Sequence, residues 1–338
     1  MSMHRKPPPC ARQAGDRPPA SHDENINPTH HPATILTAMH EQQALPTPVF
    51  ILGTQRSGTT LLTRILSAHP AIYIQNEIGL PSVFGRDLDK EGIIQAIADC
   101  VERDEGVPIR KLLADNPGMI WGLKDPQLTE HIDELRPFLQ DTRFLVIVRD
   151  GRGVTNSYME NKWGLGTNVY TGAQRWKREV EQQEAFMKEA PERFLYLRYE
   201  DLVDDTQETV RKVCEHLGVD FDPGILDYHK KKSYYQVKRE NVHTHRKPDK
   251  TLTEKWKRKL SRFQVGVIEA VAGDTLERHG YPLQSEPVTL NRWQIAYYRI
   301  HQKIIGEIQL QYRWRKSMIE AKKKKARRDA GGNGGADA

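Results

Sequence analysis

Two hydrophobic periods alternate along the chain from Val49 onward. "VFILG", residues 49–53, is apolar throughout and ends at glycine, the mark of a buried strand. "GTTLLTRILSAHP" then spaces Leu62, Ile65 and Leu66 along one helix face, and His69-Pro70 stops it. A second short strand is predicted in "MIWGLKDP", 119–126, with Pro126 opening a helix through Leu135. "RFLVIVRD", 143–150, predicts the strongest strand, and "GRGVTNSYMENK" a turn and helix after it. A helix follows over roughly 171–189, then a fourth strand in "RFLYLRYEDL", 193–202. "DTQETVRKVCEHLG", 205–218, reads as an amphipathic helix capped by Thr206 and stopped by Gly218.

Strands alternating with helices imply an α/β fold of three layers, a central parallel sheet of about four to five strands flanked by helices. Ligands of such sheets bind beyond the carboxyl ends of the strands, so the loops after Leu52, Leu123, Val148 and Leu197 are expected to converge on one cleft. Residues 222–258 are rich in Lys, His and Tyr with little period, which predicts a mostly irregular flap over that cleft. A helix is expected over 261–279, and a last one over 289–325, where Trp293, Tyr297, Ile300, Ile304 and Ile308 recur at helical spacing.

Composition changes this picture mainly at the ends. Hydrophobic residues make up 37% of the chain, low for a packed domain, and the deficit is concentrated in the termini. Residues 1–46, with "KPPP", "DRPPA" and "NPTHHPA", read as a disordered leader without the apolar core of a secretion signal. No stretch approaches the ~18 apolar residues of a membrane span. Cys10, Cys100 and Cys214 are scattered and odd in number, which argues for a reducing, cytoplasmic location. No Cys or His cluster has metal-ligand spacing; "HTH" at His243–His245 comes nearest. Of the net charge of +6, residues 313–328 supply +8 (nine Lys or Arg, one Glu), leaving −2 for the remainder. A nucleic-acid footprint over the fold is therefore not expected.

The candidate chemistry begins in "GTQRSGT". Gly53 and Gly58 let backbone amides converge on an anion at a helix N-terminus, as in a P-loop. A nucleoside triphosphatase has lysine after the second glycine; here Thr59 and Thr60 follow, and the positive charge has moved to Arg56. The loop suits one small anionic group, held by the guanidinium, amides and hydroxyls, better than a triphosphate. Arg149 stands where a Mg²⁺-binding aspartate would be sought. "VIVRDGRGVTNSYM" supplies a second pair, a strand-end Arg149 and a helix-face Ser157, able to grip one phosphate from two sides.

These segments resemble the sulfotransferase superfamily, which uses 3′-phosphoadenosine 5′-phosphosulfate (PAPS). "QRSGTT" resembles its 5′-phosphosulfate loop and "RFLVIVRDGRGVTNSY" its 3′-phosphate motif; "YLRYEDLVDDTQETVRKVCEHLGVDF", "KPDKTLTEKWKRKLS" and "LERHGYPL" extend the likeness over roughly 48–283. The likeness is closer to the tyrosylprotein and bacterial branches. It implies a P-loop-type fold and a sulfotransferase domain over 47–285, which leaves 286–338 to the amphipathic helix and basic tail read above from spacing and charge. It implies that Arg56, Ser57, Gly58, Thr59 and Thr60 hold the 5′ end, Arg149 and Ser157 the 3′-phosphate, and that Tyr199 faces the adenine. Glu77 is implied as the base, Lys124 as the stabiliser of the leaving oxygen with Asp125 orienting it, and Ser233 as a transition-state serine. His131 and His69 are lesser base candidates. Arg239 and Lys247 are expected to close over the 3′-phosphate, and no metal is expected.

The departures bear on the acceptor. Two arginines with which the tyrosylprotein branch holds acidic peptide are replaced by Gly79 and Asn161, with Lys162 beside the latter. A carbohydrate, lipid-linked or other small hydroxylated acceptor is expected instead, in a pocket lined by Trp163, Tyr170 and Trp176. The basic C-terminal helix reads as contact with the anionic inner face of a membrane, as a homodimer helix, or as a solubilising tail. Two other functions compete: a nucleotide-binding interaction module without chemistry, and an ATP-dependent kinase with an atypical loop.

Overall fold

The computed structural model describes residues 44–230, 246–286 and 288–331, with side chains through residue 319. The leader through residue 43, the His243–His245 triplet, Ser233 and Arg239 lie outside the described residues.

Five strands, β1 (Val49–Leu52), β2 (Ile72–Asn76), β3 (Ile120–Lys124), β4 (Phe144–Val148) and β5 (Phe194–Arg198), form one sheet in the order β2-β3-β1-β4-β5. Every pairing is parallel. Two-residue alternation sends the strand side chains to opposite faces. Phe50, Leu52, Leu123, Phe144, Val146 and Val148 enter one core cluster. Val49, Ile51, Ile72, Ile74, Leu145 and Ile147 enter the other. Helix α1 (Thr59–Leu66) covers the second face with Leu62, Ile65 and Leu66. Ile93, Ile97 and Val101 of α2 (Lys90–Glu105) pack on the first. Each such fully buried aliphatic side chain is worth roughly 1.5–3 kcal/mol of transfer free energy. The three-layer α/β architecture is the expected one.

Several elements depart from the pattern. Strand β2, in "AIYIQN", is not among the four strands predicted above; it lies at the sheet edge beside β3. The hydrophobic period did not mark α2 or the following α3 (Ile109–Asp115), although Asp89 caps α2 by accepting from the Gly92 N–H. Pro126 opens a 3-10 turn, Pro126–His131, and only four residues of α-helix follow as α4 (Ile132–Leu135). After β4 come α5 (Gly151–Asn161) and α6 (Val169–Glu189), and after β5 the short α7 (Tyr199–Asp204). The cap of α8 (Thr206–Leu217) is Asp205, which accepts from the Glu208 N–H; the Thr206 hydroxyl instead donates to Leu202 O. Gly218 ends α8 in the left-handed conformation, as expected.

The last part holds α9 (Lys255–Lys259), α10 (Arg262–Arg278) and the 40-residue α11 (Arg292–Gly331). One face of α11 docks on the loop between α5 and α6. Gln302 Nε2 donates to Gly164 O, the Gly164 N–H to Gln309 Oε1, and Asn168 Nδ2 to Tyr298 O.

Candidate active site

The loop from β1 to α1 turns on two left-handed residues, Arg56 (φ 74°) and Gly58 (φ 99°). Gly58 is required sterically: a Cβ there would lie 2.3 Å from Tyr199 Cδ2. The Tyr199 ring thus lies directly over the loop. No side chain caps the N-terminus of α1, leaving its first amides for an anion. The Ser57 side chain is fully buried, and its hydroxyl has no hydrogen-bond partner among the described residues.

Arg149 emerges from β4 beside this loop. Its Nη1 donates to Arg56 O at 3.3 Å and its Nη2 to Leu252 O at 3.0 Å. Its guanidinium stands 4.6 Å from the centre of the Tyr199 ring, and its buried Nε has no partner among the described residues. Arg56 Nε donates to Ser157 Oγ at 3.1 Å. The two anion-binding clusters read from the sequence therefore adjoin. Arg56, Thr60, Arg149, Ser157, Tyr199 and Lys247 line one cavity of about 480 Å³, a size usual for small-molecule sites.

A wall of that cavity went unread in the sequence. Trp256, from α9, lines it, and the buried Arg152 guanidinium stacks 4.3 Å from the Trp256 ring centre. Arg152 is held in turn by Asp150 at 2.8 Å and Glu269 at 2.7 Å. This ion triad joins the start of α5 to α10, so the flap wall and the Arg149 turn are fixed together. Arg152 follows Arg149 by three residues, and nothing in the local pattern distinguishes which of the two turns inward.

A second cavity of about 140 Å³ shares Arg56, Thr59 and Thr60 with the first. Glu77, Asp125, Trp163 and Arg313 are among its other lining residues. Glu77 follows β2 in a left-handed conformation (φ 60°), and its N–H donates to Lys124 O at 2.7 Å. The Lys124 ammonium, fully buried, donates to Glu77 Oε1 at 3.0 Å and to Thr60 Oγ1 at 3.4 Å. Asp125 Oδ1 accepts from the Gln127 N–H. Burial, and next among the raising influences the Glu77 charge, push the Asp125 carboxyl up to about 6, against the opposing Gln127 N–H and Lys124 ammonium.

Trp163 is flanked by two guanidinium groups, Arg56 at 5.5 Å and Arg313 at 4.7 Å from its ring centre. Arg313 belongs to α11, so the C-terminal helix reaches this cavity. Of the three aromatics expected to line it, only Trp163 does. Trp176 is fully buried, donating its indole N–H to Arg149 O, and Tyr170 is buried against Tyr298. The lesser base candidates are engaged elsewhere: His69 bonds Ala71 N and Asp220 O, and His131 stacks on Phe84. Among the described residues, no group of three His, Cys, Asp or Glu side chains is placed to hold a metal.

The comparisons with known proteins agree with this geometry. A family model described as "Sulfotransferase family" matches residues 48–223. A putative protein-tyrosine sulfotransferase of Caenorhabditis briggsae is 24% identical over 54% of this chain and 69% of its own length. Protein-tyrosine sulfotransferase 1 of Danio rerio is 25% identical over 53% of this chain and 55% of its own. The chain thus spans about half to two-thirds of these relatives. The sulfotransferase domain from the Synechococcus PCC 7002 olefin synthase superposes with a TM-score of 0.50 at 21% identity, covering 68% of this chain and 96% of that one, a likeness of fold. With over half of its 338 residues matched and the loop, sheet and cleft arranged as described, the chain belongs to the sulfotransferase family.

Proposed function

We propose that this enzyme transfers a sulfuryl group from PAPS to the hydroxyl of a small acceptor. The observation that carries the reading is the shared wall of Arg56, Thr59 and Thr60 between the two cavities. One cavity joins the P-loop to Arg149 and Ser157, and the other contains Glu77.

The residues present fit the donor. The α1 N-terminus, Ser57, Thr59, Thr60 and Arg56 would receive the 5′-phosphosulfate. Arg149 and Ser157, with Lys247 across the cavity, would receive the 3′-phosphate, and the Tyr199 ring offers a face to the adenine. Ser57 Oγ and Arg149 Nε are both buried without a hydrogen-bond partner among the described residues, and an anion in this cavity would supply one. The Arg56–Ser157 hydrogen bond is compatible with binding both ends, because Ser157 Oγ accepts it and keeps its O–H to donate to a phosphate.

In the reaction the acceptor oxygen bonds to sulfur while the bond from sulfur to the 5′-phosphate oxygen breaks. Glu77 takes the hydroxyl proton, and the Lys124 ammonium faces the charge developing on the leaving oxygen. The products are a sulfate ester and adenosine 3′,5′-bisphosphate. A carbohydrate, lipid-linked or other small alcohol suits the 140 Å³ acceptor cavity. Arg313 gives it a cation that Gly79 and Asn161 do not. The enzyme is proposed to work in the cytoplasm, without a metal.

The test is a thermal-shift series followed by turnover with labelled PAPS on hydroxylated acceptors. Stabilisation by adenosine 3′,5′-bisphosphate without Mg²⁺, together with label transfer, is expected. Stabilisation by Mg·ATP alone would make the protein a kinase, and nucleotide binding with no transfer to any acceptor would leave a binding module.

A further inference from the structure

Helix α11 has two faces of opposite character. Tyr298, Gln302, Gly306 and Gln309 meet the loop at Gly164–Asn168. The rest of the helix presents large apolar side chains to solvent: Trp293, Tyr297, Ile300, Ile304, Ile308 and Trp314 are each 54–74% exposed. At ~3.6 residues per turn these fall within about a third of the circumference, the ordinary apolar stripe of an amphipathic helix, so spacing alone does not choose what covers it. Singly exposed apolar residues are ordinary, but a continuous row on one helix marks a contact surface.

Charge decides what covers it. Residues 292–331 hold twelve Lys or Arg and three Asp or Glu, a sum of +9. A second copy of the helix would bring like charges together, because the described part, 292–319, has six basic residues and only Glu307 as an acid. An anionic lipid surface matches both features, taking up the Trp, Tyr and Ile side chains and attracting the basic ones. No described helix is long and apolar enough to cross a membrane, so α11 would lie in the plane of the interface.

We infer that the outer face of α11 is a docking surface for an anionic membrane, with the body of the enzyme held on its inner face. On the proposed function, Arg313 enters the acceptor cavity from the inner face of the same helix, so docking would hold that cavity about one helix diameter, ~10 Å, from the lipid surface.

The experiment is vesicle co-sedimentation of the full chain, with phosphatidylcholine alone or mixed with phosphatidylserine, alongside light scattering in solution. The wild type should bind the mixed vesicles, bind phosphatidylcholine far less, and lose affinity as salt rises. The triple variant Trp293→Ser, Ile300→Ser, Ile304→Ser should bind about tenfold more weakly or worse, since less apolar area enters the interface. It should keep its thermal shift with adenosine 3′,5′-bisphosphate, which reports folding independently. Absence of binding to mixed vesicles overturns the inference. So does a triple variant that binds like wild type, which would assign the attraction to the basic tail alone. A wild-type dimer that the triple variant converts to monomer also overturns it, by assigning the face to a second copy.

Discussion

Lys124 Nζ reaches Glu77 Oε1 at 3.0 Å from a fully buried position, while the Glu77 side chain is one-third exposed, at 34%. The ammonium is anchored in the sheet and the carboxylate opens onto the cavity, so one ion pair spans core and cleft. Glu77→Gln keeps an oxygen for Lys124 but removes the carboxylate proposed to accept the proton. Turnover is expected to fall by about 10²–10⁴, with affinity for adenosine 3′,5′-bisphosphate little changed, because other residues line that cavity. Glu77→Leu should in addition lower Tm, since it withdraws a counter-charge from a buried lysine. Stopped-time assays beside calorimetric titration of the bisphosphate check both. Wild-type turnover in Glu77→Gln would move the base elsewhere.

The sheet and the P-loop were legible because they rest on short-range signals. The all-apolar "FLVIV" is short and rich in β-branched residues, which favours a strand buried on both faces, and Gly53 and Gly58 mark the loop between strand and helix. Glu77 and Lys124, 47 residues apart, were legible only through family resemblance; their meeting follows from the parallel register that pairs Asn76 with Lys124. Trp256, Arg152 and Arg313 were not legible. Trp256 and Arg313 enter the site from distant segments, Arg152 backs Trp256 from only three residues beyond Arg149, and a lone Trp or Arg in an amphipathic stretch looks the same whether it faces a cavity or water. Trp176 shows the converse: its composition suggested a pocket wall, but helix spacing puts it in the core against Gly151.

Arg149 contacts Arg56, Leu252 and Tyr199, so it ties the P-loop to the flap even before any ligand. Arg149→Ala should weaken adenosine 3′,5′-bisphosphate by about tenfold or more, a charge-assisted hydrogen bond being worth roughly 1.5–3 kcal/mol. Adenosine 5′-phosphate, lacking the second anion, should lose much less. Parallel titrations of the two nucleotides measure this, and equal losses would detach Arg149 from the 3′-phosphate.

The Asp125 carboxyl sits at about 6 in the folded chain against an ordinary 3.8, chiefly through burial. Between those values the folded chain binds the proton more tightly than the unfolded chain. The resulting stability is full below the lower value and is lost as pH rises through the higher one. Asp125→Asn abolishes this titration and keeps an acceptor for the Gln127 N–H. Its stability relative to wild type should therefore rise between about pH 4 and pH 7, by an amount on the order of 2–3 kcal/mol. Paired melting curves across that range read it. A difference independent of pH would show that Asp125 titrates as an ordinary exposed carboxyl.

Gly164 holds the C-terminal helix at contact distance. Its φ is +77°, and a Cβ there would lie 2.7 Å from Gly306 O on α11 and 2.9 Å from Leu310 Cγ. Backbone cannot yield as a flexible side chain can, so Gly164→Ala should push α11 off the loop that carries Trp163. Gly118 is the control, because its φ is +84° and a Cβ there meets nothing within 4 Å. Gly118→Ala therefore carries the left-handed strain alone, of order 1–2 kcal/mol. Gly164→Ala should be the more destabilising by roughly 1–3 kcal/mol of overpacking. It should also speed amide exchange across 163–168 and 298–313, and raise the KM for acceptor more than that for PAPS, because Arg313 leaves the acceptor cavity with the helix. Equal effects of the two alanines on stability and exchange would mean that α11 is not held by this close approach.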